Sequence, residues 1–93
     1  MAPSSALRPV LTLFTRQHCG LCEAVKDTLI TVQRRTPFTL REIDIDVSTD
    51  RTWFRKYNYD VPVVHGPGDL VLGKHRVSEG DVERWLKDLA GKA

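Results

Sequence analysis

The sequence predicts a single α/β domain with the element order β-α-β-α-β-β-α. At 93 residues, the chain is near the common size of one domain and too short for two independent cores. Apolar runs typical of strands alternate with amphipathic segments typical of helices, and no internal repeat or linker interrupts the alternation. Hydrophobic residues make up 41% of the chain and charged residues 28%, which is typical of a globular protein.

Charge and hydropathy argue against two classes of partner. The 14 basic and 12 acidic residues leave a net charge of +2, far from the concentrated basic face that binds nucleic acid. The longest apolar run, Val10 to Phe14, is about a quarter of the ~20 residues needed to cross a bilayer. Residues 1–9 lack the apolar run of a secretory signal. We therefore expect no nucleic-acid or membrane partner, a flexible N-terminal tail over residues 1–9 and the domain over residues 10–93.

The first strand and the first helix have the clearest patterns. Val10 to Phe14 is nearly continuously apolar, which predicts a central strand covered on both faces. The helix follows Cys19, and Arg34 and Arg35 favour its negative C-terminal end. Pro37 ends it. The apolar residues of this helix recur three or four positions apart and form one stripe: Cys22, Val25, Leu29 and Val32.

The middle of the chain predicts a strand and a short helix. Phe38 to Ile45 forms the second strand, but its apolar phase slips between Leu40 and Ile43, which indicates a bulge or a late strand start. Ser48 is expected to cap the second helix, with Asp50 in the first turn. The apolar contacts of this helix are predicted to be Trp53, Phe54 and Tyr57.

The remainder predicts an antiparallel hairpin and a last helix. The runs Val61 to His65 and Leu70 to Leu72 flank Gly66-Pro67-Gly68-Asp69, whose residues favour a turn. Ser78, with Asp81 three residues later, predicts a variant capping box. The apolar residues of the last helix fall at i, i+3, i+4 and i+7: Val82, Trp85, Leu86 and Leu89.

The candidate chemistry lies in Cys19-Gly20-Leu21-Cys22, at the junction of the first strand and the first helix. A thiol at a helix N-terminus faces unpaired backbone N–H groups and the positive end of the helix dipole, which both stabilise its thiolate. Cys19 is therefore the candidate nucleophile. Cys22 lies one turn later on the same face, so it is expected to be more buried and to act as the resolving thiol.

Two cysteines this close indicate a redox motif or a metal site. A third hypothesis is that they are unreactive residues of the core. They cannot form the disulfide framework of a small secreted protein, so we expect a reducing compartment, the cytosol in preference to the mitochondrial matrix. A zinc site would need two further ligands from His18, His65 and His75, which lack the usual spacing of paired histidine ligands. We therefore expect no bound metal, with His18 on the surface and His65 and His75 in structural roles.

The segment Thr15-Arg16-Gln17-His18-Cys19-Gly20-Leu21-Cys22, followed by Val61-Pro62, resembles the glutaredoxins of the thioredoxin superfamily. The resemblance covers almost the whole chain and is greatest to small divergent glutaredoxin-like proteins, which carry residues similar to Lys74-His75-Arg76-Val77. It implies a thioredoxin fold with a four-stranded mixed sheet flanked by three helices, and a cis bond before Pro62. It also implies glutathione-binding residues, of which Arg16 would hold a carboxylate unless it is merely a solvated arginine: Arg16, Val61, Pro62 and Ser78.

Three departures from the glutaredoxin pattern affect what the resemblance implies. Gly20-Leu21 replaces the Pro-Tyr pair between the cysteines. Asp60 replaces the threonine before Val61-Pro62. Arg76 and Val77 occupy the place of a glycine pair that lets glutathione approach a helix N-terminus. We therefore expect weak use of glutathione.

Three functions are compatible with this sequence. The leading hypothesis is a thiol–disulfide oxidoreductase that reduces protein or glutathione mixed disulfides through Cys19 and Cys22. The alternatives are an iron–sulfur cluster carrier, in which Cys19 acts with glutathione from two subunits, and a binding module that has lost turnover. We expect a monomer with no tightly bound cofactor, with disulfide-containing proteins as partners and glutathione as a candidate co-substrate.

Overall fold

The structure, a computed structural model, describes residues 8–91. The predicted flexible tail therefore lies outside the described residues except at Arg8 and Pro9. The carbonyl of Pro9 accepts a hydrogen bond from the backbone N–H of Thr39 at 3.0 Å. Pro9 is therefore held against Thr39.

Residues 8–91 contain the predicted elements in the predicted order. The strands are β1 (Val10–Thr15), β2 (Thr39–Asp44), β3 (Val63–His65) and β4 (Val71–Lys74). The helices are α1 (Gly20–Arg35), α2 (Thr52–Tyr57) and α3 (Glu79–Ala90). Across this described part, no helix combines the length and apolar character needed to cross a membrane.

The strands form one four-stranded mixed sheet in the order β2-β1-β3-β4. Strand β1 pairs in parallel with β2 and antiparallel with β3, while β3 and β4 form an antiparallel hairpin. The mixed sheet that the resemblance implies is therefore confirmed. The parallel β1–β2 pair brings the ends of both strands to the same edge, where α1 begins.

The central position of β1 explains its continuous apolar run. Leu11 and Leu13 are fully buried and Phe14 is 1% exposed, so both faces of the strand are covered, as predicted. Alternate residues of β1 point to opposite faces and separate two core clusters. One cluster joins α1 and α3 to the sheet: Leu11, Leu13, Val25, Leu29, Val32, Phe38, Val64, Val82 and Leu86. The other joins α2 to the sheet: Phe14, Ile45, Tyr57 and Val63, with Trp53 against it.

Helix α1 begins and ends as predicted, and α3 begins as predicted. The apolar stripe of α1 is buried. The helix ends with a hydrogen bond from the Thr36 N–H to the Val32 carbonyl at 2.8 Å. The capping box of α3 is complete: the Asp81 N–H donates to Ser78 Oγ, and the Ser78 N–H donates to Asp81 Oδ2, both at 3.0 Å. Local sequence chemistry therefore places the ends of α1 and the start of α3.

The predicted cap of α2 is wrong. The helix begins at Thr52 after Arg51, and neither Ser48 nor Asp50 belongs to it. Ser48 Oγ instead accepts from the Asp50 N–H at 3.2 Å, and Asp50 Oδ1 accepts from the Thr52 N–H at 3.0 Å. Two successive turns made by side chains thus compete with helix formation and delay α2.

The strand irregularity lies in a different strand pair from the one that the sequence suggests. All six pairs between β1 and β2 keep one register, so β2 contains no bulge. The register instead shifts between Val64 and His65, where Val64 pairs with Gly73 but His65 pairs with Val71. A Cβ at Gly73 would lie 2.8 Å from Cζ2 of Trp85, so glycine lets the Trp85 ring of α3 pack directly on β4.

Candidate dithiol site

Cys19 and Cys22 form a disulfide at the start of α1, and their Cα atoms are 5.2 Å apart. Cys19 is the N-cap residue, and its Sγ accepts a hydrogen bond from the backbone N–H of Cys22 at 3.1 Å. Cys22 is 1% exposed, whereas Cys19 is half-buried. The predicted difference in burial is therefore confirmed. The same N–H that contacts the sulfur here is available to stabilise a Cys19 thiolate.

The residues next to the two cysteines in the chain, His18, Gly20 and Leu21, are exposed. His18 has the left-handed backbone conformation, with φ 59°, and turns the chain from the β1 end into α1. A Cβ built at Gly20 meets nothing within 4 Å. Leu21 is 42% exposed and presents an apolar surface next to the sulfurs. The site thus combines a half-buried Cys19 with exposed neighbours, one of which is apolar.

The segment before β3 carries the second part of the predicted site. The Val61-Pro62 peptide bond is cis, as the resemblance implies. Pro62 is buried, and its carbonyl accepts from the backbone N–H of His75 at 2.8 Å. Asp60 lies 3.5 Å from the Lys74 ammonium and 3.7 Å from His75 Nε2. These contacts join the segment before β3 to the segment after β4.

Arg16 is held by groups of its own chain. Its Nε and Nη2 contact the two carboxylate oxygens of Asp46 at 3.0 and 2.6 Å. Nη1 donates to the Asn58 carbonyl at 2.7 Å, and Nη2 donates to Asn58 Oδ1 at 3.1 Å. The side chain is 27% exposed. Arg16 therefore ties the end of β1 to the segments before and after α2.

The electrostatics of this ion pair follow from its bidentate geometry. Hydrogen bonding to Arg16 lowers the pKa of the Asp46 carboxyl below its usual value. Hydrogen bonding to Asp46 raises the pKa of the Arg16 guanidinium. Both groups are consequently charged across the neutral range, and the pair is largely neutral to an approaching ligand.

The other predicted ligand residues occupy two places. Val61 and Pro62 precede β3, next to the His75 backbone. Ser78 starts α3, where Asp81 already accepts its backbone N–H. Within residues 8–91, no group of three or more histidine, cysteine, aspartate or glutamate side chains is arranged to hold a metal ion.

Sequence reasoning missed the partners of Arg16 and the setting of His65. Asp46 and Asn58 lie 30 and 42 residues from Arg16 along the chain, so no local pattern indicates the contact. His65 is 1% exposed, and its Nε2 lies 2.6 Å from the Tyr57 hydroxyl. Its Nδ1 has no hydrogen-bond partner within the described residues, although Asp69 Oδ1 lies 3.5 Å away. The structural role predicted for His65 is thus a buried polar contact in the core.

Burial controls the protonation of His65 and Tyr57. It lowers the pKa of His65 below its ordinary value, against the opposing effect of Asp69. It also raises the pKa of Tyr57. The imidazole and the phenol are therefore both neutral near pH 7.

The sequence matches a known family profile over most of its length. The Glutaredoxin-like domain (DUF836) profile matches residues 10–87. The chain is 38% identical to "Glutaredoxin-like protein YDR286C homolog" of Dictyostelium discoideum, in an alignment that covers 74% of this chain and 67% of that protein.

Solved structures show the same architecture. Protein Ne2328 of Nitrosomonas europaea is 28% identical, with a TM-score of 0.71 and coverage of 85% of this chain and 92% of that one. Mitochondrial thioredoxin 3 of Saccharomyces cerevisiae, in its oxidised form, is 19% identical, with a TM-score of 0.62 and coverage of 86% and 77%. The second likeness concerns the fold alone. Together with the mixed sheet and three helices, these structures show that the chain has a thioredoxin fold.

Proposed function

Because the chain belongs to the glutaredoxin-like domain family, we propose that it is a thiol–disulfide oxidoreductase that reduces substrate disulfides through Cys19 and Cys22. The observation that carries the proposal is the disulfide at the start of α1, with Cys19 as the N-cap. Cys19 is the more exposed of the two cysteines, and its sulfur already accepts a helix N–H. Those are the conditions under which a thiolate forms and reacts.

The proposed reaction consists of two exchanges. The Cys19 thiolate attacks one sulfur of the substrate disulfide and forms a mixed disulfide, and the other substrate sulfur leaves as a thiolate. The Cys22 thiolate then attacks Cys19 Sγ, which releases the second substrate sulfur and forms the Cys19–Cys22 disulfide. The substrate gains two electrons and two protons. A thiol or dithiol reductant must return the pair to the reduced state.

We propose protein disulfides as the main substrates, with weak use of glutathione. Four of the five N–H donors of Arg16 are used, since Nε and Nη1 each make one hydrogen bond and Nη2 makes two. A glutathione carboxylate at Arg16 would have to replace Asp46, and exchanging one carboxylate for another adds little affinity. The Ser78 N–H is likewise occupied by Asp81.

The proposed function is tested by two assays run side by side. With dithiothreitol as reductant, the protein is expected to accelerate insulin reduction well above the rate of dithiothreitol alone. With glutathione and glutathione reductase as the reducing system, reduction of a glutathione mixed disulfide is expected to stay close to its uncatalysed rate. The rates are measured by insulin precipitation and by NADPH consumption. If neither assay responds, the chain is a binding module rather than a reductase.

Glutathione is expected to bind the oxidised protein with a dissociation constant of about 1 mM, which corresponds to about −4 kcal/mol. The reason is that Arg16 and the Ser78 N–H already have partners. Amide chemical shifts recorded during a titration measure the constant. The variant Asp46→Asn removes the competing carboxylate and is expected to bind a few-fold more tightly. Saturation of the wild type at tens of micromolar, with shifts centred on Arg16, Val61 and Ser78, would contradict this expectation and indicate a functional glutathione site.

A further inference from the structure

A small groove lies next to the dithiol, between the first two turns of α1 and the segment that joins β4 to α3. Its volume is about 150 Å³. The α1 side includes Leu21, Ala24 and Val25, and the opposite side includes Arg76 and Val77. Leu21 directly precedes Cys22 in the chain, so the groove borders the first turn of the helix that carries both cysteines.

The size of the groove favours a single side chain over a whole small molecule. Small-molecule sites usually enclose about 300–1,000 Å³, and this groove is well below that range. Its lining is mixed: four residues are aliphatic, of which Val25 is buried and Val77 half-buried, and Thr28, His75 and Arg76 add polar groups. One side chain of an extended polypeptide fits such a space, while the rest of the polypeptide stays outside it.

The charge at the groove is positive and localised on Arg76. Lys74 and His75, the two preceding residues, face the Asp60 carboxylate at 3.5 and 3.7 Å. Arg76 is exposed, and within residues 8–91 its guanidinium makes neither an ion pair nor a hydrogen bond. Its backbone N–H donates to the Lys74 carbonyl at 2.7 Å in a tight turn, which anchors its backbone at the rim of the groove. An unneutralised guanidinium beside an apolar groove favours an acidic group on the ligand.

We propose that the groove receives a side chain next to the disulfide of an extended polypeptide substrate, and that Arg76 selects substrates with an acidic residue at this place. The inference rests on the proposed function, because the polypeptide reaches the groove when its disulfide meets Cys19. It adds a substrate class, namely acidic disulfide-bearing segments. Arg76 is a specificity-determining residue that contacts the substrate and takes no part in the sulfur exchange.

The test compares two cyclic peptides, each with one internal disulfide, that differ only in an aspartate or a lysine beside one cysteine. The reduced protein is mixed with each peptide, and the second-order rate constant is measured by acid quenching and chromatography. Arg76→Gln is expected to lower the constant for the acidic peptide about two- to fivefold, the range of an exposed ion pair. Arg76→Glu is expected to react faster with the basic peptide than with the acidic one. In 0.5 M NaCl the wild type is expected to lose its preference for the acidic peptide.

The acidic-to-basic ratio of the wild type, divided by the same ratio for Arg76→Glu, cancels the intrinsic reactivity of the peptides. Arg34→Glu is the matched control, because it makes the same charge change in the last turn of α1. Its ratio is expected to equal that of the wild type. An equal ratio in wild type and Arg76→Glu would overturn the inference while leaving the proposed function intact. If the reduced protein reacts with neither peptide, both fail. If the reduced wild type reacts with glutathione disulfide as fast as with the acidic peptide, and Arg76→Gln slows both reactions equally, the occupant is not a polypeptide.

Discussion

Replacing Cys19 by serine is expected to reduce disulfide reduction to the uncatalysed rate, because this sulfur makes the first attack on the substrate. Cys22→Ser is expected to accumulate a mixed disulfide on Cys19, since the thiol that would displace the substrate is absent. Insulin reduction measures the first effect, and intact-mass spectrometry after exposure to a disulfide measures the second. In the reduced wild type, iodoacetamide at pH 6 is expected to label Cys19 faster than Cys22.

Asp27→Ser is a suitable control for these variants, because Asp27 is an exposed residue of α1 and the change introduces the same hydroxyl side chain. It is expected to retain the wild-type rate. The assignment of the two thiols is wrong if iodoacetamide labels Cys22 first, or if Cys19→Ser is the variant that accumulates a mixed disulfide.

The free energy of unfolding is expected to fall as the pH is lowered from 7 to 5, because His65 is buried in its neutral form. The pKa of His65 is lowered in the folded protein, mainly by burial, so below about pH 6.5 the unfolded chain binds more protons than the folded one. Stability is therefore present above that pH and is lost as the pH falls toward the folded-state pKa. One such group changes stability by at most about 1.4 kcal/mol per pH unit. Urea unfolding of the oxidised protein at a series of pH values measures the slope.

Variants at the histidines identify the source of this slope. His65→Gln does not titrate and is expected to flatten the pH dependence, even if its stability at pH 7 is lower. The double variant His18→Gln/His75→Gln changes the two exposed histidines and is expected to keep the wild-type slope. Tyr57→Phe removes the hydrogen bond to His65 and is expected to cost about 1–3 kcal/mol at pH 7. An unchanged slope in His65→Gln would show that other groups cause the pH dependence.

Local patterns predicted most of the fold, because the elements concerned depend on periodicity and caps. The stripe of α1 and the Ser78–Asp81 box need only residues three or four apart. The predicted start of α2 is wrong because Ser48 and Asp50 are residue types that favour a helix cap and a turn equally well. In the structure their side chains form turns. The irregularity was expected in β2 because of its apolar pattern. The observed register shift at His65 depends instead on how β4 aligns with β3, and the pattern of β2 holds no information on that alignment.

The part of the candidate site formed by neighbouring residues is predictable from the sequence. The part formed by residues distant in the chain is not. Cys19 and Cys22 lie in one turn of helix, so their order and their different burial follow from the sequence. The partners of Arg16 depend on where two segments near α2 meet the end of β1. The resemblance suggested a carboxylate ligand for Arg16, and the carboxylate found there belongs to Asp46 of the same chain.

The separation of the core into two clusters gives each face of the sheet its own fluorophore. The chain has two tryptophans. Trp53 lies against Phe14 on the α2 face, with ring centres 4.6 Å apart, while Trp85 packs over Gly73 on the α3 face. Single-tryptophan forms of the protein would thus emit from one side of the sheet at a time. Reduction of the disulfide or acidification could loosen the packing on one face of the sheet. The emission of the tryptophan on that face would report the loosening separately from the other face, although the domain is too small to be divided into halves.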